Sequence, residues 1–349
     1  MKNPLNFYKY LPFILRKKFN KKYIVIESDD WGMMGASSEG IHYLANKYGK
    51  NNFSRWTTDS IETVSDLELL YDLLNNYKDS FKKPPIITAN FITHNINYNH
   101  STVLSFQPLS EYLSQNNGLK GMYEKGIENN YIYPQLHGYS HYNLSTLNDY
   151  FQSDSSKELF NLGFLTGEST IRNIPNNFKG ELVCHNKNVN LILQDAISEF
   201  YKIFGFQSKT IIPPHFILDL KLLSTIKAHG IICIQACNRL IRLNRTRIRK
   251  VFFRKQNGLY WFPRTARLDP HEHYKYFADQ CLASIAKAFQ SNIPAIIDFH
   301  RVNLSGKYNE SYRDNTLKEL NSLFQSIENH WPDVEFISTD ELLKKICQI

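Results

Sequence analysis

Short apolar runs alternate along the chain with longer stretches whose apolar residues recur at helical spacing. The runs cover residues 23–27 (YIVIE), 85–90 (PIITAN), 131–136 (YIYPQL), 210–213 (TIIP), 230–235 (GIICIQ), 295–299 (AIIDF) and 334–337 (VEFI). Brief and rich in β-branched and aromatic residues, they predict buried strands. Between them, residues 63–77, 189–203, 218–228, 274–289 and 316–329 place apolar residues three and four apart, as helices packed on one face do. Strand, helix, strand repeated in this way predicts a mainly parallel α/β sheet or barrel. No internal repeat and no Pro/Gly/Ser linker divides the chain. One domain over residues 1–349 is therefore expected, with 1–21 as an N-terminal extension and the irregular stretch 152–183 as an inserted loop region.

Polar residues cluster directly after three of the runs. Ser28-Asp29-Asp30-Trp31-Gly32 follows the first, His137-Gly138-Tyr139-Ser140-His141 the third, and His300-Arg301-Val302-Asn303 the run at 295–299. In parallel α/β folds the carboxyl ends of the strands build the active site, so this recurrence marks one end of the sheet. His137 and His141, at i and i+4, would share one face of a helical turn and could hold a divalent cation through their ring nitrogens. A surface or hydrogen-bonded histidine pair is the bland alternative. Asp29 and Asp30 are adjacent carboxylates that repel, a conflict resolved by a cation or by a raised pKa on one of them. A turn or helix N-cap is the alternative there. Two histidines and one carboxylate together form a facial metal site that leaves positions open for water and substrate.

The order SDD, HxxxH, a Pro-aromatic strand end and an apolar strand closing in FH resembles the polysaccharide deacetylases of carbohydrate esterase family four, from about residue 23 to about residue 343. IESDDWG, TAN, PQ.HG..H.N, PAI...HRVN and WPDVEF resemble more closely a branch found among bacterial surface-polysaccharide genes. The resemblance implies a distorted (β/α)7-type barrel carrying a metal-dependent N-deacetylase. It makes Asp29 the catalytic base, Asp30, His137 and His141 the metal ligands, and His300 the general acid. The implied cofactor is one divalent ion, Zn2+ first, with Co2+, Mn2+ or Ni2+ as alternatives. Two departures stand out. Gly138 occupies a position where the family usually has Ser or Thr. The segment TIIPPHF offers Pro213, Pro214, His215 and Phe216 but lacks the arginine that orients the base, a role for which Arg264 and Arg301 are the candidates. A backbone N–H near His215 or Phe216 would hold the oxyanion. A related amide or ester hydrolase and a carbohydrate-binding pseudoenzyme remain the alternative readings.

Trp31 and Tyr139 are read either as a sugar-stacking surface or as packing, and Asn90 as a substrate partner or a satisfied core amide. His271 and His273 form an HxH with no carboxylate beyond Glu272, and no second metal site is expected there. Composition narrows the partners. Over 349 residues, 42% hydrophobic and 21% charged residues exclude a disordered or low-complexity chain. Lys+Arg 41 against Asp+Glu 33 gives a net charge of +8, which suits an acidic substrate, a membrane surface or nucleic acid. The excess concentrates in Arg239, Arg242, Arg245, Arg247, Arg249, Lys250, Arg254 and Lys255. That segment is either a solvated strand face or a cradle for an acetylated sugar on a nucleotide or lipid pyrophosphate carrier. No recognisable nucleic-acid module accompanies it. Five cysteines without a repeated spacing predict free thiols, and no segment approaches the ~20 apolar residues of a membrane span. A cytoplasmic protein is expected, with residues 7–22 able to rest on an anionic membrane face.

Overall fold

The computed structural model describes residues 17–35, 37–49, 55–97, 104–152, 179–236, 240–241, 247–248, 253–270 and 275–347. The first half contains β1 (Tyr23–Trp31), α1 (Ser38–Tyr48), α2 (Val64–Asn75), β2 (Ile87–Ile92), β3 (His94–Ile96), β4 (Phe106–Pro108), α3 (Leu109–Gln115), α4 (Asn117–Glu128), β5 (Ile132–Gly138) and α5 (Leu144–Phe151). There follow α6 (Val189–Phe204), β6 (Thr210–Ile211), α7 (Leu223–Ala228), β7 (Cys233–Ala236), β8 (Leu240–Ile241), β9 (Arg247–Ile248), β10 (Lys255–Gln256), β11 (Leu259–Pro263) and β12 (Ala266–Arg267). The chain ends in α8 (Ala278–Gln290), β13 (Ala295–His300), α9 (Glu310–His330), β14 (Glu335–Phe336) and α10 (Thr339–Cys347).

Each of the seven expected runs contains a strand, and β1 continues beyond its run to Trp31, so that Asp29 and Asp30 lie inside it. One ten-stranded sheet runs β10-β11-β7-β6-β5-β2-β1-β13-β12, with β14 paired to β1. All its pairings are parallel except β10 with β11. The sheet curls. Gln235 on β7 and Asn90 on β2 are three strands apart in the order, yet their side-chain amides exchange hydrogen bonds of 2.8 and 2.9 Å. In a flat sheet those strands would stand roughly 14 Å apart, at ~4.8 Å per strand.

Among the described residues no strand pairing completes the ring; the chain itself spans the seam. Between β11, which pairs with β7, and β12, which pairs with β13, stand only Arg264 and Thr265. The Arg264 N–H donates to the Ala236 carbonyl and the Thr265 N–H to the Ile296 carbonyl, both at 2.8 Å, so one interrupted strand is shared by the two sides. The expected seven-position barrel is thus present in a split form. LYWFP escapes the sequence reading because Pro263 and the switch of partner break it into two short pieces.

Alternation sorts the layers. Ile24 and Ile26 of β1 face outward onto a core shared with Leu67, Leu70 and Leu74 of α2 and Leu320, Leu323 and Phe324 of α9. Val25 faces the other way, with Cys233, Phe262 and Ile296, against Leu342, Leu343 and Ile346 of α10. The helix α10 therefore plugs one end with apolar side chains. Further along the same face, Glu27 and Asp29 replace Val25 and the interior becomes polar. Helix α2 starts at a capping box in which Thr63 and Asp66 satisfy each other's backbone N–H groups. The expected helix at 218–228 is α-helical only from Leu223, after a tighter turn over Leu220–Leu222 capped by Asp219. Helices α1, α3, α4, α5 and α10 were not anticipated. Among the described residues no helix is long and apolar enough to cross a membrane. Most of the proposed inserted region, and the side chains of Arg239, Arg242, Arg245, Arg247, Arg249 and Lys250, lie outside the described residues, as do His271 and His273.

Candidate active site

Asp29 and Asp30 are consecutive on β1, and a regular strand would send them to opposite faces. The pairing of β1 with β2 shifts register between Ser28 and Trp31, and Asp30 adopts a left-handed backbone with φ 68°. This break in alternation lets both carboxylates line one cavity of about 280 Å³, together with His137, His141, His215, Phe216, Trp56, Lys179, Arg267, Asp298 and His300. A left-handed aspartate costs on the order of 1 kcal/mol and must be held. Arg301 holds it: the fully buried guanidinium donates through Nε to the Asp30 carbonyl at 3.0 Å and through Nη2 to the Met33 carbonyl at 3.1 Å. Its charge is matched by Asp59 and Glu62. Arg301, expected as a substrate contact or as the arginine that orients Asp29, is fully buried outside the cavity lining and holds the Asp30 backbone instead, which corrects both expectations.

The same backbone turn sends Trp31 into the core. It is fully buried against Phe91 and Tyr123, with its indole N–H donated to Ser28 Oγ at 2.8 Å, so it is not a sugar platform. Tyr139 also turns away. Its ring stacks on His94 at 3.8 Å between centroids and meets Phe106, outside the cavity lining.

The two histidines do not share a helical turn. His137 is on β5, whereas His141 lies in the following loop with φ 78°. Gly138 between them has φ 147°, and a Cβ there would meet Glu181 Oε1 at 2.4 Å, which explains why neither Ser nor Thr occupies the position. His137 Nδ1 lies 2.9 Å from the Ile212 carbonyl, which can only accept. The proton is therefore on Nδ1, and Nε2 is left to face Asp30.

Asp30 Oδ1 stands 3.2 Å from His137 Nε2 and 3.3 Å from His141 Nε2. Three donors bound ~2.0–2.1 Å from one ion at near-tetrahedral angles would be about 3.3 Å apart, so the group fits a divalent cation. The three residues are buried and their ligand atoms lie within 4.8 Å of one another. Burial alone would raise the Asp30 carboxyl, but the two histidines outweigh it and hold it well below the usual range. Burial holds His141 down to about 4 despite Asp30. Burial would also lower His137, yet its hydrogen bond to Asp30 and the nearby carboxylate charges hold it above its ordinary value.

Asp29 is adjacent in register to His300 on β13, and with Asp298 they form a second cluster of potential ligands. This cluster already holds a cation, the guanidinium at the seam. Arg264 Nη1 and Nη2 donate to Asp29 at 2.7 and 2.5 Å, Nη1 also donates to Asp298 at 2.5 Å, and Nε donates to Glu27 at 3.0 Å. Of the two candidate arginines, Arg264 is the one placed on Asp29. Even so, burial pushes Glu27 up to about 7 against the pull of Arg264 and Thr339. Burial would likewise raise Asp298, but Arg264, His300 and Arg267 hold it below the usual range.

Asn90 completes the support of Asp29. Fully buried, it donates to Asp29 Oδ1 at 2.9 Å and pairs with Gln235, which corrects the substrate-contact expectation. His300 stands with Nδ1 3.9 Å from Asp298 and its ring edge-on to Trp56 at 5.4 Å. His215 and Phe216 both have φ 56° and line the cavity. The Phe216 ring covers Arg264 at 5.5 Å, while its N–H donates to the Pro213 carbonyl at 2.8 Å and is not an oxyanion donor. Asp298, Glu27, Glu181 and Trp56 escaped the sequence reading. The charge inside the apolar run AIIDFH was the available signal for Asp298.

No protein-family model and no curated protein matches the chain. A 4-alpha-glucanotransferase from Thermococcus litoralis superposes with TM-score 0.47 and 10% identity, over 94% of this chain and 40% of that one. Peptidoglycan deacetylase PdaC from Bacillus subtilis gives TM-score 0.41 and 11% identity, over 94% and 93%. A family 4 carbohydrate esterase from Streptomyces lividans, in complex with acetate, gives 0.38 and 8%, over 90% of each chain. Likeness this distant assigns neither a family nor residue roles.

Proposed function

We propose that this chain is a metal-dependent hydrolase of the polysaccharide deacetylase kind that removes an N-acetyl group from a sugar. One observation carries the reading: Asp30, His137 and His141 converge at ligand distance on the wall of a cavity that also exposes Asp29 and His300. A divalent ion there, Zn2+ by the nitrogen-rich donor set, would polarise the amide carbonyl and acidify water.

The chain's own groups supply the proton transfers. Asp29 accepts the proton of the attacking water. Arg264 and Asn90 grip both of its oxygens, which fixes the carboxylate's direction at the cavity wall. His300, on the neighbouring strand in the same register, protonates the leaving amine, without which the tetrahedral adduct would expel a poor leaving group. Asp298 lies 3.9 Å from its Nδ1, and Trp56 packs against the ring. Acetate and a free amino sugar result.

The basic composition and the sequence resemblance support an acetylated sugar on a nucleotide or lipid pyrophosphate carrier, in a cytoplasmic step of surface-polysaccharide assembly with peripheral membrane contact. The test is acetate release from a panel of N-acetylated sugar nucleotides and lipid-linked sugars, with and without added Zn2+. Metal-dependent release supports the reading. Tight binding of an acetylated glycan with no release under any condition would replace it with a carbohydrate-binding protein.

A further inference from the structure

We infer that Glu181 is a positioning residue for the metal, acting through the backbone of the loop that carries His141; the inference rests on the metal reading above. Glu181 is 1% exposed and none of its carboxylate bonds is to another side chain. Oε1 accepts the Tyr139 N–H, and Oε2 accepts both the Ser140 and His141 N–H groups, all at 2.8 Å. Three successive N–H groups point at one anion only when the backbone curls into a concave nest. That curl sets the direction of His141.

Two features make the clamp specific to this loop. His141 has φ 78°, a conformation a histidine rarely holds unaided, and its N–H is one of the three that Glu181 takes. Gly138 opens the space: a Cβ there would stand 2.4 Å from Glu181 Oε1 and 3.2 Å from Pro214 Cγ. The carboxylate is itself anchored, because the Glu181 carbonyl accepts from Asn186 Nδ2 at 2.9 Å and from the Val183 N–H at 3.1 Å. His141 Nε2, at 3.3 Å from Asp30, thus depends on a residue that touches neither the ion nor the cavity. Loss of the clamp lets the His141 backbone relax and dissolves the three-donor set while leaving Asp30 and His137 in place.

The test is Glu181→Gln. An amide has one acceptor oxygen, so either orientation turns its NH2 towards a backbone N–H. The Zn2+ dissociation constant, measured by chelator competition well below the melting temperature, should rise about 10- to 100-fold. Leu343→Ala, a truncation in the apolar plug at α10, whose cluster contains no residue of the loop, is the control for stability alone: its melting temperature falls but its dissociation constant stays. If Glu181→Gln does not fold, Glu181→Asp, which keeps the charge but draws the carboxylate one methylene back from the three N–H groups, is measured in the same way. A dissociation constant within twofold of wild type for the folded variant would make Glu181 a merely structural residue and overturn the inference. A wild type that binds no Zn2+ would instead overturn the metal reading itself.

Discussion

Two triads share this cavity, and they differ in where their positive charge comes from. Asp30, His137 and His141 bring one carboxylate and two imidazoles, and no Lys or Arg among the described residues pairs with the Asp30 carboxylate. Asp29, Asp298 and His300 bring two carboxylates, with Glu27 behind them, but Arg264 is already bound to all three acids. Clustered acidic groups therefore do not by themselves mark an ion site. What marks it is a carboxylate paired with no Lys or Arg among the described residues, only with imidazoles whose protons a metal can displace. The triad that lacks a fixed guanidinium is suited to binding a metal, and the triad that has one is suited to moving protons.

Proton-transfer variants break the comparison most strongly. Asp29→Asn and His300→Ala should each keep Zn2+ and lower kcat by about 10² to 10⁴, read from acetate release with bound metal determined on the same samples. Next comes the internal cation. Arg264→Ala strands Glu27, Asp29 and Asp298 as buried acids and should destabilise the fold by about 3–5 kcal/mol in a denaturant melt. Asp29→Asn in that background should recover part of the loss, because one stranded charge is gone.

Acidity separates the two triads by a smaller amount. A cation must displace the proton that His137, with its raised pKa, retains in the metal-free site. Zn2+ affinity should fall about tenfold per pH unit below that raised pKa, and more steeply only below about 4, where His141 also takes a proton. The stability sign follows. The His137 contribution to the metal-free fold is fully present below 6.5 and lost as pH rises through the raised value; that of His141 is present above 6.5 and lost as pH falls towards about 4. Metal-free melts across this range should show a maximum near 6.5 in the site's contribution, and metal-loaded melts should lack the alkaline loss. The smallest effect belongs to Tyr139, which stacks on His94 outside the cavity. Tyr139→Phe should change kcat/KM by no more than about 0.5 kcal/mol, roughly twofold.

The strands and the chemical residues at their ends were legible because period and residue type are local signals. Asp29, Asp30, His137, His141 and His300 do meet in one cavity. What sequence order could not convey is direction. A single left-handed residue, Asp30, decides that Asp29 and Asp30 face the site together while Trp31 enters the core. The HxxxH spacing fits a helical turn equally well, and only Glu181, forty residues on in sequence from His141, shapes it into a strand end and a loop. Arg264 was one of two candidates because its position depends on the seam between β11 and β12, where a strand changes partners. At one point charge carried a signal that periodicity did not: Asp298, an aspartate inside an apolar run, lines the cavity, and it went unread.

Metal stoichiometry across three proteins tests the central claim most directly: wild type, Asp29→Asn and Asp30→Ala, each loaded with Zn2+, dialysed and analysed for metal per chain. The account predicts one ion in wild type and in Asp29→Asn, and none in Asp30→Ala. An ion retained by Asp30→Ala and lost from Asp29→Asn would place the cation in the wrong triad and contradict it.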